Sequence, residues 1–392
     1  MSRDVVTVVR SVEELELLRP AWERLGAGTL TADLDWFRTT IELDPRVLRP
    51  HVVLVERDGE PHALVLGRVQ DGELRCRLGY RPLFEPTLRI LNVVYGGVLG
   101  DVGAHVAAFD ALRGSLRRGE VDVVHLPAVR LGSPLDGAFL TGTARLMRSV
   151  APARAHWLAH VPDSYDAFLR QLSSSTRQGV KRYGNKLERE LEGRLHLERV
   201  AAADGIDGFF RDAARVSAKT YQGGLGVGVR EDDELQRALV ALGVERGWFR
   251  GYVLSIDDEP AAFWHGYAYA GSFRTMVPGY DPAYGRLNIG TYVLMKLVAE
   301  LCEDPAVNEL DFGFGDAEYK RRFGDRSWQE HDVAVFSPSA KAMGVHSVRS
   351  TLLTGVGVGR YVVQESGRVD RVKRAWRRKV AAGAREEAAR PA

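Results

Sequence analysis

The stretch DFGFGDAEYKRRFGD, Asp311 to Asp325, sets an acid behind apolar neighbours and follows it with glycines, further acids, a Tyr-Lys pair and a basic run. These residue types suit proton and anion chemistry. A carboxylate on a half-buried strand accepts a proton or holds a cation, a tyrosine hydroxyl donates one, and a lysine stabilises developing negative charge. Asp311, Tyr319 and Lys320 are the catalytic candidates, with His265 in FWHGYAY as an alternative base; Gly315, Asp316, Glu318 and Phe323 share the stretch as candidate substrate contacts, together with Tyr280 upstream. Each has a structural reading beside it: Asp311 capping its own turn, Lys320 as a solvated cation, His265 as a member of an aromatic cluster. A second kind of site precedes them. YGRLNIGTYVL runs from a loop into a helix whose first unpaired N–H groups fall near Asn288, Gly290 and Thr291, where a phosphate can bind without a basic side chain, and Arg286 stands beside it.

The elements that must position these residues show an internal repeat. VLVERDGEPHAL, Val53 to Leu64, reads as strand, tight turn and strand, and YVLSIDDEPAAF, Tyr252 to Phe263, has the same layout, Glu60-Pro61 matching Glu259-Pro260. Each copy is followed by a helical segment and an apolar strand, VDVVHL from Val121 and VNELDF from Val307, in the same order. The strand of the first copy carries only His125 after Asp122, a residue read as a satisfied structural group. The acid-rich strand end belongs to the second copy alone, which makes that copy the working half.

Between the copies, DSYDAFLRQL starts a helix at Asp163 or Ser164, and SSSTRQGVKRYGNKLEREL restarts one with Ser175 as the expected cap. Val180, Gly184, Leu187 and Leu191 form a narrow stripe, with Arg177, Lys181, Arg182, Lys186 and Arg189 mostly off it; this is a solvated face, or a surface for phosphate or nucleic acid. QGGLGVGVRED, with Gly223, Gly224, Gly226 and Gly228, reads as a flexible connection or a mobile lid. It has neither the Lys-Ser/Thr of a P-loop nor the GxGxxG pattern. The C-terminal segment sets Val369, Val372, Trp376 and Val380 at helical spacing among basic residues, as in a helix that docks on its own protein or on an anionic surface.

Composition narrows the classes. A chain of 392 residues, 45% hydrophobic and 27% charged, exceeds a single core and suits two domains. Cys76 and Cys302 make neither a ligand spacing nor a disulfide framework, so no metal is expected. The net charge of +2 hides a basic end, residues 341–392 holding 12 Lys+Arg against 4 Asp+Glu. MSRDVVTVVRSVEELELL has no signal-type apolar core, and no run nears the roughly 18 apolar residues that span a bilayer. A cytoplasmic location, at most peripheral to the inner membrane face, is the expectation.

DPAYGRLNIGTYVLMKLVAEL followed by ELDFGFGDAEYKRRFGD resembles the closing half of the CelD-like and Fem-like branch of the GNAT acyltransferases, where an sPGxxL helix start precedes an fDfgxGdxxYKxxfg strand and turn. The similarity runs more weakly from Ser164 to Asp325, and the first copy fits as the degenerate repeat of that branch. Ile289 stands where the pattern has Pro, and the pyrophosphate loop [QR]xxGx[GA] is absent. The resemblance implies an α/β (α+β) fold of two tandem GNAT-like lobes, each a mixed, mostly antiparallel sheet flanked by helices: 1–150 a degenerate lobe, 151–338 the catalytic lobe, and 339–392 a basic helical tail. It implies N-acyl transfer from acyl-CoA, acetyl-CoA above all, as a co-substrate rather than a permanently bound cofactor. The acceptor would be an amine of a small molecule, sugar or peptide, and the group moved other than aminoacyl. Asp311, Gly315, Asp316, Tyr319, Lys320 and Phe323 carry the family motif, with Gly290 at the donor-phosphate turn. Asp311 would take the amine proton or hold the ammonium, Tyr319 would protonate the leaving group, and Lys320 and Arg286 would meet negative charge on the donor. A Fem-like aminoacyltransferase using charged tRNA is the first alternative, suited by the basic helix and tail but lacking a coiled-coil insertion. A non-catalytic scaffold is the second.

Overall fold

The computed structural model describes residues 4–73, 76–78, 81–84, 86–220 and 228–351. Gly223, Gly224, Gly226 and the tail segment around Trp376 lie outside them. The described chain divides into two compact units, one ending at Ala155 and resuming at Trp328, the other His156–Ser327.

In the first unit, β1 (Asp4–Val9), β2 (Val47–Arg57), β3 (Glu60–Glu73) and β6 (Thr87–Gly100) run antiparallel in that order, with β4 (Cys76–Leu78) and β5 (Arg81–Phe84) paired separately. β7 (Val123–Arg130) then joins β6 in parallel, across the helix Val102–Arg117. β8 (Arg148–Val150) and the final strand, Arg326–Phe336, complete the sheet by antiparallel pairing. That pairing explains why the division is not contiguous in sequence. The sequence placed the whole of 151–338 in one lobe, whereas the hydrogen bonds of Glu330 to Phe336 go to β7.

The second unit repeats the plan. β10 (Leu195–Val200), β11 (Phe249–Ile256), β12 (Glu259–Tyr269) and β13 (Ser272–Thr275) are antiparallel neighbours, β15 (Glu309–Phe314) joins β13 in parallel, and β9 (Arg154–His160) closes on β15. β14 (Gly279–Tyr280) returns to β12. The two hairpins share more than outline. Asp58-Gly59 and Asp257-Asp258 all have positive φ, the geometry of a tight hairpin turn, and Glu56 opposes Pro61 as Ser255 opposes Pro260, each beside a bulge. The parallel pair of each unit also has the same register, Asn92 opposite His125 and Arg274 opposite Asp311. The fold is thus mixed α/β, two lobes of mostly antiparallel sheet with flanking helices.

Four helices matter to the site: α1 (Tyr165–Gln171), α2 (Ser174–Glu190), α3 (Ile206–Lys219) and α4 (Ile289–Glu303). Ser164 caps α1 by accepting the Ala167 N–H, as expected, but the cap of α2 is Ser173, accepting from Thr176, rather than Ser175. α4 is apolar nearly all round. Val293, Leu297, Val298 and Leu301 are fully buried, each stabilising by about 1.5–3 kcal/mol relative to exposure. It packs on the face of the sheet bearing Tyr252, Leu254, Trp264, Phe273, Leu310 and Phe312, and the Val180, Leu187 and Leu191 stripe of α2 joins the same core. α3 covers the other face through Phe209, edge-on to Phe249, Phe263 and His265.

Candidate active site in the second unit

Strand alternation decides where the acid points. Leu310 and Phe312 face α4, so Asp311 between them faces the α3 side, as does Arg274 beside core residue Phe273. Asp311 is buried at 7% exposure and accepts from His156 Nε2 at 2.7 Å, Arg274 Nη1 at 3.3 Å and the Gly313 N–H at 2.6 Å. Burial alone would raise its pKa; the His156 hydrogen bond, the Arg274 charge and the Gly313 amide together hold it below the usual carboxylate value. A carboxylate so engaged stays ionised and is a weak base. Its observed work is to join β9, β13 and β15 through one side chain. Gly313, at φ +69°, makes the bulge that turns its own amide back to that side chain.

Tyr319 lies on the opposite face, in the short helix Glu318–Phe323. Its ring sits edge-on between Trp264, at 5.7 Å between centroids, and Phe312, at 5.9 Å. Burial pushes its hydroxyl up to about 12, so it holds its proton through the physiological range. Trp264 also donates its indole N–H to the Gly290 carbonyl at 2.9 Å, tying Tyr319 to the first turn of α4. Tyr280 completes this group, its ring 3.5 Å from where a Cβ on Gly290 would stand, with roughly half of the residue exposed. Asn288 begins α4 in the left-handed conformation, and its side chain makes no cap hydrogen bond to the first turn.

Several expectations change. His265 is not near Tyr319: it faces α3 within the aromatic cluster, and burial lowers its pKa to about 4. Lys320 is not a solvated cation; it is buried and donates to the Phe314 carbonyl at 2.7 Å, anchoring the Tyr319 helix to the end of β15. Phe323, at 2% exposure, belongs to the core rather than to a substrate surface. Gly315 has positive φ and open space around it, Asp316 pairs with Arg321, and Glu318 and Arg286 are exposed. Asn288 and Thr291, by contrast, line a cavity of about 410 Å³ walled by α1, α2, α4 and Arg322.

Sequence reasoning missed His156, Arg274 and Trp264. Each lies outside the motif stretch; His156 and Arg274 gain meaning through strand pairing, and Trp264 through its contacts with Gly290 and Tyr319. The equivalence of Asp311 and His125 in the two lobes was a usable signal, since their partners, Arg274 and Asn92, stand at matching places; His125 Nδ1 lies 2.6 Å from Asn92 Oδ1.

Residues 174–321 match the family model described as the acetyltransferase (GNAT) domain. No curated protein matches the chain. Among solved structures, FemX is similar at TM-score 0.56 and 10% identity over 82% of this chain and 96% of its own. A tandem GNAT protein from the clavulanic acid biosynthesis pathway is similar at 0.51 and 12%, over 86% and 100%. A conserved protein from Bacteroides thetaiotaomicron is similar at 0.51 and 11%, over 85% and 99%. The second unit therefore carries a GNAT domain, the fold of an acyltransferase. With its two matching lobes, the chain as a whole shares its fold with FemX and with that tandem GNAT protein.

Proposed function

We propose that the protein is a GNAT-type N-acyltransferase that moves an acyl group from acyl-CoA to an amine of a small molecule, sugar or peptide, in the cytoplasm. The observation that carries this reading is Trp264, which joins the uncapped first turn of α4 through Gly290 to the edge of the Tyr319 ring. A donor phosphate at that turn would bring a thioester sulfur toward a protonated phenol. The amine nitrogen attacks the thioester carbonyl, the C–S bond breaks, Tyr319 gives the thiolate its proton, and the proton shed by the amine passes to water. Asp311, with Arg274 and His156, is a positioning group that fixes the parallel strands, and Lys320 positions Tyr319.

The Fem-like alternative keeps one observation of its own. Arg177, Lys181, Arg182, Lys186 and Arg189 all lie on α2, and FemX is among the structural neighbours, which favours an aminoacyl ester of tRNA as the second reading. Thermal unfolding with acetyl-CoA, longer acyl-CoAs and charged tRNA separates the donors, because a ligand of the native state raises its melting temperature. Stabilisation by an acyl-CoA, with loss of turnover in Tyr319→Phe, supports the first reading. Stabilisation by charged tRNA alone refutes it.

A further inference from the structure

A second cavity, of about 250 Å³, lies in the first unit, with Asp71, Thr87, Arg89, Glu120, Asp122 and Lys341 on its wall. None of these residues takes part in the proposed acyl transfer. Glu120 gathers three guanidinium groups on one carboxylate: Arg118 Nε at 2.6 Å, Arg10 Nη2 at 3.5 Å and Arg49 Nη2 at 3.6 Å. Arg118 caps the helix Val102–Arg117, where a cation meets the carbonyl end of a helix. That accounts for Arg118 alone, since Arg10 follows β1, Arg49 lies on β2 and Arg89 on β6. Asp122 is engaged by the Arg89 backbone N–H at 3.0 Å and by Lys341 Nζ at 3.7 Å. Arg89 and Asp71 oppose each other in register across β6 and β3 without forming an ion pair, so Arg89, exposed on the wall, has no acidic partner among the described residues. His51 adds an unsatisfied donor. It is fully buried, its Nδ1 accepts from Arg49 Nη1 at 3.1 Å, and its Nε2 therefore carries the ring proton with no partner among the described residues. Burial, with the charges of Arg49, Arg10 and Arg118, lowers its pKa to about 3, so the ring is neutral.

We infer that this cavity binds a small phosphate-bearing anion, with Arg89 and Lys341 reaching its oxygens and the Arg10, Arg49 and Arg118 group supplying positive charge around it. Arg10, Arg49, Arg89, Arg118 and Lys341 outnumber Glu120, Asp122 and Asp71, which leaves the neighbourhood cationic. Guanidinium matches phosphate oxygens through paired N–H groups, and cations arriving from several segments suit a tetrahedral anion better than a planar carboxylate. The volume falls below the roughly 300–1,000 Å³ of pockets for drug-sized ligands, which limits the occupant to phosphate itself or the phosphate monoester of a small molecule. Asp71, unpaired on the same wall, opposes the anion and keeps its affinity modest. The site belongs to the first unit and stands apart from the acyl-transfer reading, which uses residues of the second.

Titration calorimetry on the full chain, at neutral pH and constant ionic strength, compares inorganic phosphate, ribose 5-phosphate and acetate. The wild type is expected to bind the phosphates in preference to acetate. Arg89→Gln should weaken phosphate binding about tenfold, the size of one charge-assisted contact, and Asp71→Asn should tighten it about twofold or more by removing a like charge. Both positions are exposed, so both variants keep the fold, which thermal unfolding checks. Tyr319→Phe should bind phosphate as the wild type does. Tighter binding of ribose 5-phosphate than of inorganic phosphate, weakened by Arg89→Gln, upholds the site and assigns it to a phosphate ester; equal binding of the two, weakened in the same way, upholds it as a site for phosphate itself. No binding of either phosphate at millimolar concentration overturns the inference. So does acetate bound as tightly as phosphate, or phosphate bound equally by the wild type and Arg89→Gln.

Discussion

Replacing Asp311 by Asn removes one negative charge and leaves the shape nearly intact. Removing one partner of a buried charge pair costs about 3–5 kcal/mol, and the retained amide oxygen still accepts from one of the three donors, which places the loss near 3 kcal/mol. His156 and Arg274 would then lose their shared acceptor inside a buried site. For a unit of this size about 2–4 °C accompany each kcal/mol, so the second unit should melt roughly 6–12 °C lower at pH 7. The pH dependence has a definite sign. The folded pKa of Asp311 is depressed, so its contribution is present above the unfolded value of 3.8 and disappears as pH falls through the folded value. The gap between wild type and Asp311→Asn, measured by calorimetry from pH 7 to pH 3, should therefore close at the acid end. A double variant with Arg274→Met should lose less than the sum of the two, with a coupling of about 1–3 kcal/mol. An Asp311→Asn protein that melts with the wild type, yet loses turnover a hundredfold, would refute this reasoning and make the carboxylate a reacting group.

Other outcomes follow from the same geometry. Tyr319→Phe keeps the ring contacts with Trp264 and Phe312, so stability should hold within about 1 kcal/mol while turnover falls about 10²–10⁴-fold, read by steady-state kinetics on matched preparations. His265→Leu should leave turnover unchanged. Because the folded pKa of His265 is about 4 against 6.5, its neutral form favours folding above pH 6.5 and that contribution is lost toward pH 4, so the variant should show a flatter stability profile across that window by chemical denaturation. Gly324→Ala brings a Cβ to 2.7 Å from the Lys320 carbonyl and 3.0 Å from that of Leu158, both backbone, and should destabilise by about 1–3 kcal/mol, seen as a lower denaturation midpoint.

Much of the architecture was legible because it is local. The Asp58-Gly59 and Asp257-Asp258 turns, the apolar strands after each helix and the cap at Ser164 depend on neighbours a few residues away. The site was legible only as a stretch. Tyr319 and Asp311 sit eight positions apart in sequence and on opposite faces of one sheet, a fact that the motif alone does not encode. His265 looked like a base because histidine types one; its neighbours Phe209 and Phe249, which make it a core residue, come from a helix and an adjacent strand. Lys320 looked exposed because lysine usually is, and the Phe314 carbonyl that it satisfies appears only when the chain turns at Gly315.

By itself the sequence determined the duplicated lobe, the hairpin turns, a helix start near Asn288, Gly290 and Thr291 and the residue types at the strand end after Glu309, since each follows from local pattern and turn chemistry. Tertiary structure decided which of those residues meet. Cross-strand register set Arg274 against Asp311, strand alternation sent Asp311 and Tyr319 to different faces, and the packing of α2 on α4 built a cavity around Gly184. Those are contacts between residues far apart along the chain, fixed by the joint burial of several elements, and no single segment carries them.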